Sequence, residues 1–126
     1  MNSMGVNVIT QELGRLCKAL SDENRVRMLK LLLDRDVSNS EMAVVFPNLS
    51  KSQISRDLTI LMNAGYLRRW HEGRCVVYAV DRTGCNEFSR ALLDVLANSF
   101  NDTEVVRRDR EKLQRAIADR VRELAK

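Results

Sequence analysis

Partway through the stretch from Leu49 to Tyr78 the hydrophobic period changes, and neither a uniform helical bundle nor a uniform β fold accommodates such a change. As far as Ala64 the apolar residues recur at helical spacing. Beyond Gly65 the chain turns to aromatic and β-branched residues, which favour extended backbone. A glycine directly after Ala64 supplies the left-handed residue at which a helix stops. The stretch therefore predicts a helix, a stop, and two short strands joined by a tight turn, within a mainly α fold carrying a β-hairpin.

A chain of 126 residues builds one core of modest size, so one domain is expected. The formal net charge of +4 is mild, but Lys51, Arg56, Arg68, Arg69 and Arg74 gather positive charge in the same stretch, which favours a polyanionic partner. The first apolar run, Val6 to Ile9, is far shorter than a signal peptide's apolar region, and no run approaches the roughly 20 apolar residues of a membrane span. The expectation is a cytoplasmic protein with no membrane partner. Cys17, Cys75 and Cys85 are odd in number and form no C-x-x-C pair, so reduced thiols are expected in place of a disulfide framework or zinc knuckle.

Ile9, Leu13, Leu16 and Leu20 mark a first helix with Cys17 on its flank, and Ser21 is placed to cap a second, buried through Val26, Leu29, Leu32 and Leu33. Asp22 and Glu23 complement the dipole of its first turn. Ser38 or Ser40 can cap a short third helix with Met42, Ala43, Val45 and Phe46, which ends at Pro47-Asn48. The fourth helix runs from about Ser50 to Ala64. At about 100° per residue, Ile54, Leu58 and Leu61 share one side while Ser52, Arg56, Thr59 and Asn63 share the other, with Gln53 and Ser55 flanking. A face kept only for solvation is usually dense in Glu and Lys. This one offers hydroxyls, amides and a single arginine, the groups that match base edges in a major groove: Arg with guanine, Gln or Asn with adenine, Ser or Thr with either. The same residue types are also ordinary on a solvated helix face, and the following segment shifts the balance towards nucleic acid. Tyr66, Leu67 and Trp70 precede a Glu72-Gly73 turn, Val76, Val77, Tyr78 and Val80 follow it, and Arg69, His71 and Arg74 line the tip, where they can meet phosphate or simply keep an edge strand soluble.

Four segments taken together resemble the ArsR/SmtB-type winged-helix repressors of bacteria. They are L-S-D-E-N-R-V-R-M-L-K-L-L from Leu20 to Leu32, L-S-K-S-Q-I-S-R-D-L from Leu49 to Leu58, A-G-Y-L from Ala64 to Leu67, and E-G-R-C-V-V-Y from Glu72 to Tyr78. The resemblance covers about two-thirds of the chain and implies a winged helix-turn-helix, dimerised through its first and C-terminal helices. It further implies a homodimer on a partly palindromic operator in double-stranded DNA, and repression relieved by an inducer. By position in the family blocks, Ser52, Gln53, Ser55 and Arg56 would contact DNA, with Lys51 and Arg74 on phosphate; Thr59, from the outer helix face, and Arg69, from the wing, join them as candidates on the residue reading alone.

Asp57 stands where many relatives have histidine. Its projection lies nearer the core side and its charge is repelled by phosphate, so it is set aside from DNA contact and expected to pair with a neighbouring Arg. The E-L-C-V-C-D-L metal block of many family sensors is replaced here by Asp36-Val37-Ser38-Asn39-Ser40-Glu41-Met42. Serine hydroxyls at 38 and 40 cannot stand in for thiolate sulfur. A second family site uses Asp and His on the helix after the wing, whereas Cys85 to Phe100 contains no histidine. No cofactor and no metal at the usual family positions are expected. Cys17, Cys75 and Cys85 remain as candidates for sensing a metalloid or thiol-reactive inducer, set against the ordinary role of free cysteines as packing residues.

Phe88, Leu92, Val95 or Leu96, and Phe100 form an apolar stripe on a fifth helix. Asn101, Asp102 and Thr103 interrupt it, and a charged helix follows from Glu104 with Val106, Leu113, Ile117, Val121 and Leu124 as a thin seam. Residues 1–102 are read as the DNA-binding and dimerisation domain and 103–126 as a helix of the same domain that extends the dimer. The leading function is a sequence-specific transcriptional repressor; the alternative is a winged-helix protein-interaction module that binds nucleic acid weakly. No clustered His, Gly-rich phosphate loop or Cys beside a base suggests an enzyme.

Overall fold

Competing hydrogen bonds at Ser21 and Asp22 set the first break in the chain. The computed structural model describes residues 3–83 and 87–125. In it α1 (Ser3–Ala19) ends where the Ser21 hydroxyl donates to the Lys18 carbonyl at 2.6 Å. Asp22, not the expected Ser21, is the N-cap of α2 (Glu23–Asp34), its carboxylate accepting from the Arg25 amide. Aspartate caps better here because its charge also meets the positive end of the helix.

Of the two serines open as caps for the third helix, Ser38 serves. Its side chain accepts from the Glu41 amide and Glu41 accepts in return from the Ser38 amide, a capping box opening α3 (Asn39–Val45). α4 (Lys51–Asn63) follows, capped by Ser50, and Gly65 ends it at φ +91°. Val37–Ser38 also forms a short strand, β1, which sequence patterning does not show. It pairs antiparallel with β3 (Cys75–Val80), which pairs in turn with β2 (Leu67–Glu72), giving the order β1-β3-β2. Glu72 pairs with Cys75, so the hairpin loop is Gly73-Arg74 and not Glu72-Gly73, and Gly73 takes the left-handed first position at φ +61°.

The core joins Leu16 of α1, Met28, Leu29, Leu31 and Leu32 of α2, Met42, Val45 and Phe46 around α3, and Ile54, Leu58 and Leu61 of α4 to Tyr66 and Tyr78 of the wing. α5 (Glu87–Ala97) adds Leu93, and α6 (Glu104–Leu124) adds Leu113 while packing on α2 and α3. The expected seam of α6 is buried at Val106 and Leu113, but Val121 and Leu124 are 60% and 78% exposed, while Arg120, one turn before Leu124, still reaches Glu41 of α3. Phe100, expected in the fifth helix, lies beyond it in the left-handed region at φ +66°. Ile9 and Leu13 on α1 and Phe88 and Val95 on α5 leave apolar surface in solvent. No helix among the described residues is long and apolar enough to cross a membrane.

Polar contacts tie the C-terminal elements to α2. Arg27 donates to both carboxylate oxygens of Asp109 at 2.8 Å and lies over the Phe46 ring. The hydrogen bond to Asp109 holds the Arg27 pKa above its ordinary value, against the opposing effect of burial. Lys30, 3% exposed, directs its ammonium at the carbonyls of Leu96 and Ser99 and the side chain of Asn101, at 2.9, 2.7 and 2.8 Å. Burial holds the Lys30 pKa below its ordinary value, with Arg110 adding to the effect and Asp34 opposing it. A cation there satisfies the carbonyls that end α5 and holds the strained backbone at Phe100. In Lys30→Met, Asn101 Oδ1 keeps Arg110 and the Leu96 carbonyl keeps the Ser99 amide, but the Ser99 carbonyl loses its donor, an expected loss of about 2 kcal/mol in denaturant unfolding with the slope unchanged.

Candidate nucleic-acid interface

α4 divides into two chemically different sides because its apolar residues recur three and four apart. Ile54, Leu58 and Leu61 enter the core, while Lys51, Ser52, Ser55 and Arg56 are exposed and Thr59 is half-buried at the margin. The helix begins at Ser50, so its first free amides and positive dipole end lie beside Lys51, an arrangement suited to phosphate. Asn39, Lys51, Ser52, Ser55, Arg56 and Thr59 line one shallow open surface.

The wing stands alongside. Alternation along β2 separates Leu67 and Arg69 from Arg68 and Trp70, and the two sides do different things. Arg68 stacks over the Trp70 ring at 4.9 Å, and the Trp70 indole donates to Glu72 at 3.0 Å. Arg69, expected at the hairpin tip, instead pairs across the ladder with Tyr78 in mid-strand and lines a groove with Lys51 and Ser55. Its offset from the tip follows from the register: Arg74 occupies the loop, His71 pairs with Val76, and both are exposed.

Sequence patterning leaves two residues of this surface partly hidden. It does not single out Asn39, yet Asn39 lines both the groove and the open surface, and its side-chain oxygen accepts from the Val76 amide at 3.2 Å, joining α3 to the wing. The one available signal is its place directly after the capping Ser38. Gln53 is half-buried and donates to the Asp57 carboxylate at 3.2 and 3.3 Å. Asp57 faces inward, in keeping with its helical projection, and pairs with Arg25 at 3.3 Å.

Cys17 is exposed on α1 and Cys75 half-buried in β3 with its sulfur 3.5 Å from the Ser40 hydroxyl; both are free thiols. Cys85 lies outside the described residues. Among those residues no three His, Cys, Asp or Glu side chains gather where a metal ion could be held.

No family model matches this chain. It is similar to the transcriptional repressor SdpR of Bacillus subtilis, at 31% identity over 85 residues that span 68% of this chain and 93% of that protein. It is also similar to the HTH-type transcriptional regulator Rv0081 of Mycobacterium tuberculosis, at 29% identity over 92 residues, 73% of this chain and 81% of that one. The crystal structure of Rv0081 superposes with a TM-score of 0.57 at 26% identity, over 90% of this chain and 96% of that chain. The homodimeric winged helix-turn-helix DNA-binding domain of Mb0332 from Mycobacterium bovis, described as a possible ArsR-family regulator, matches with a TM-score of 0.58 over 71% of this chain and 79% of its own. At 19% identity that match speaks for the fold alone.

Proposed function

The chain belongs to the ArsR/SmtB-type family of winged-helix transcriptional regulators, and on that premise we propose that it acts as a homodimeric repressor which reads a partly palindromic operator and is released by an inducer. One observation supports the reading above the others. α4 turns a face of small polar side chains and one arginine outward, beside a groove that also takes Arg69 and Lys51, while its opposite face is locked in the core.

In this reading Ser52, Ser55, Arg56 and Thr59 meet base edges, and Lys51, Arg69 and Arg74 meet phosphate. Gln53 belongs to the same helix but has its amide nitrogen engaged, which alters its part in recognition. The exposed apolar residues Ile9, Leu13, Phe88 and Val95 suit a second copy packed through α1 and α5. DNA ties the work of the protein to the cytoplasm.

Selection of bound duplexes from random DNA tests the reading. Enrichment of one site with two related halves supports it, and recovery of unenriched DNA would sink it. Titrating arsenite, peroxide or persulfide against the winning site then tests whether Cys17, Cys75 or Cys85 takes part in release; unchanged affinity of the reduced protein removes thiol sensing. Arg74→Ala should weaken the selected and a scrambled duplex alike and reduce the slope of log affinity against log salt by about 0.9 for each phosphate no longer neutralised. A drop confined to the selected duplex would show that Arg74 reads bases.

A further inference from the structure

Asp57 is 1% exposed although it belongs to the helix whose other side faces solvent. Its carboxylate is a junction. Arg25 Nη1 donates to Oδ1 at 3.3 Å, and Arg25 Nε and Nη2 donate to the carbonyls of Ala19 and Lys18 at the end of α1, at 2.7 and 3.1 Å. Gln53 Nε2 donates to both oxygens of Asp57, at 3.3 and 3.2 Å. The remaining polar atom of Gln53, Oε1, accepts from Arg56 Nη1 at 3.5 Å.

A glutamine that reads adenine uses both ends of its amide, donor and acceptor together. An ionised carboxylate only accepts, so it can hold Gln53 only by the donor end. The oxygen end is thereby turned towards Arg56, whose other N–H groups meet no acceptor among the described residues and are open to a planar pair of acceptors. Arg25 compensates the Asp57 charge and prevents the buried carboxylate from being left unpaired. Holding the guanidinium in place beforehand lowers the ordering cost of binding.

We propose that Asp57 is a specificity-determining positioning residue: by engaging the donor end of Gln53 it converts an adenine reader into a support for Arg56 and biases the recognition helix towards guanine. The proposal rests on the reading of α4 as the helix that enters the groove.

The test selects bound duplexes from random DNA with the full chain, with Asp57→Asn and with Gln53→Met, and measures salt slope and thermal stability in parallel. The guanine assigned to Arg56 is the one whose preference disappears in Arg56→Ala. Asparagine keeps the shape of Asp57 but offers a donor as well as an acceptor, so Gln53 is free to turn over. Methionine keeps the length of Gln53 without its polar atoms. Both variants should lose roughly tenfold of the discrimination at that guanine with the salt slope unchanged. If both enrich the parental site with the parental preference while Asp57→Asn merely melts earlier, Asp57 is only a pin for α1 and the proposal is overturned. Should Asp57→Asn fail to fold, Gln53→Met decides alone, and parental discrimination in it overturns the proposal. A parent that enriches no site defeats the groove reading and the proposal with it, an outcome distinct from variants that copy an enriching parent.

Discussion

Truncation after Asp102 is expected to unfold the helix-turn-helix, not merely to weaken a dimer. α6 is held by its own chain: Val106 and Leu113 are buried, Ile117 packs on the core, and the helix lies across α2 and α3. Burial of a Val or Leu side chain contributes about 1.5–3 kcal/mol, and two such side chains are removed together. The cut also takes Asp109 from Arg27, leaving a largely buried guanidinium over Phe46 with its bidentate partner gone. The sum is comparable with the 5–15 kcal/mol that holds an ordinary domain together. Circular dichroism and thermal unfolding of residues 1–102 should therefore show no cooperative melting from room temperature upward. A truncated chain that melts like the parent but sediments as a monomer would restore α6 to the purely dimer-extending role that its charge pattern suggests.

That contrast shows where the sequence is legible. Periodicity exposes every helix of the core, and the punctuation at Pro47 and Gly65 bounds the helix that matters most, because local spacing and backbone conformation act within a few residues. β1 is hidden because Val37 and Ser38 are too few to show alternation, and Ser38 is at once strand residue and helix cap. The hairpin loop shifts by one residue because Gly73 takes the left-handed first position, and Arg69, four residues before that loop, lies in mid-strand beside the groove and not at the tip. The engagement of Gln53 is invisible for another reason. Its orientation is set by Asp57, and Asp57 is neutralised by Arg25, which is 32 residues distant in the chain and reaches it only once α2 and α4 are packed. Helical projection can turn Asp57 inward, but it cannot name the partner.

Arg56→Ala is expected to abolish most of the distinction between operator and random DNA while leaving the fold intact. Arg56 is exposed, and alanine is the better helix former, so the melting temperature should hold or rise slightly. A bidentate pair between arginine and guanine discriminates by about 1–3 kcal/mol, or roughly 5- to 150-fold in affinity. In the proposed homodimer the contact recurs in each half-site, so the expected loss on the full operator is the product of the two. Affinity for a scrambled duplex depends on phosphate neutralisation and should fall far less, with Lys51, Arg69 and Arg74 still present. The ratio of the two affinities, measured at one fixed salt concentration, is therefore the informative quantity. Equal losses on both duplexes would make Arg56 a phosphate contact, and guanine recognition would then have to come from another residue of α4.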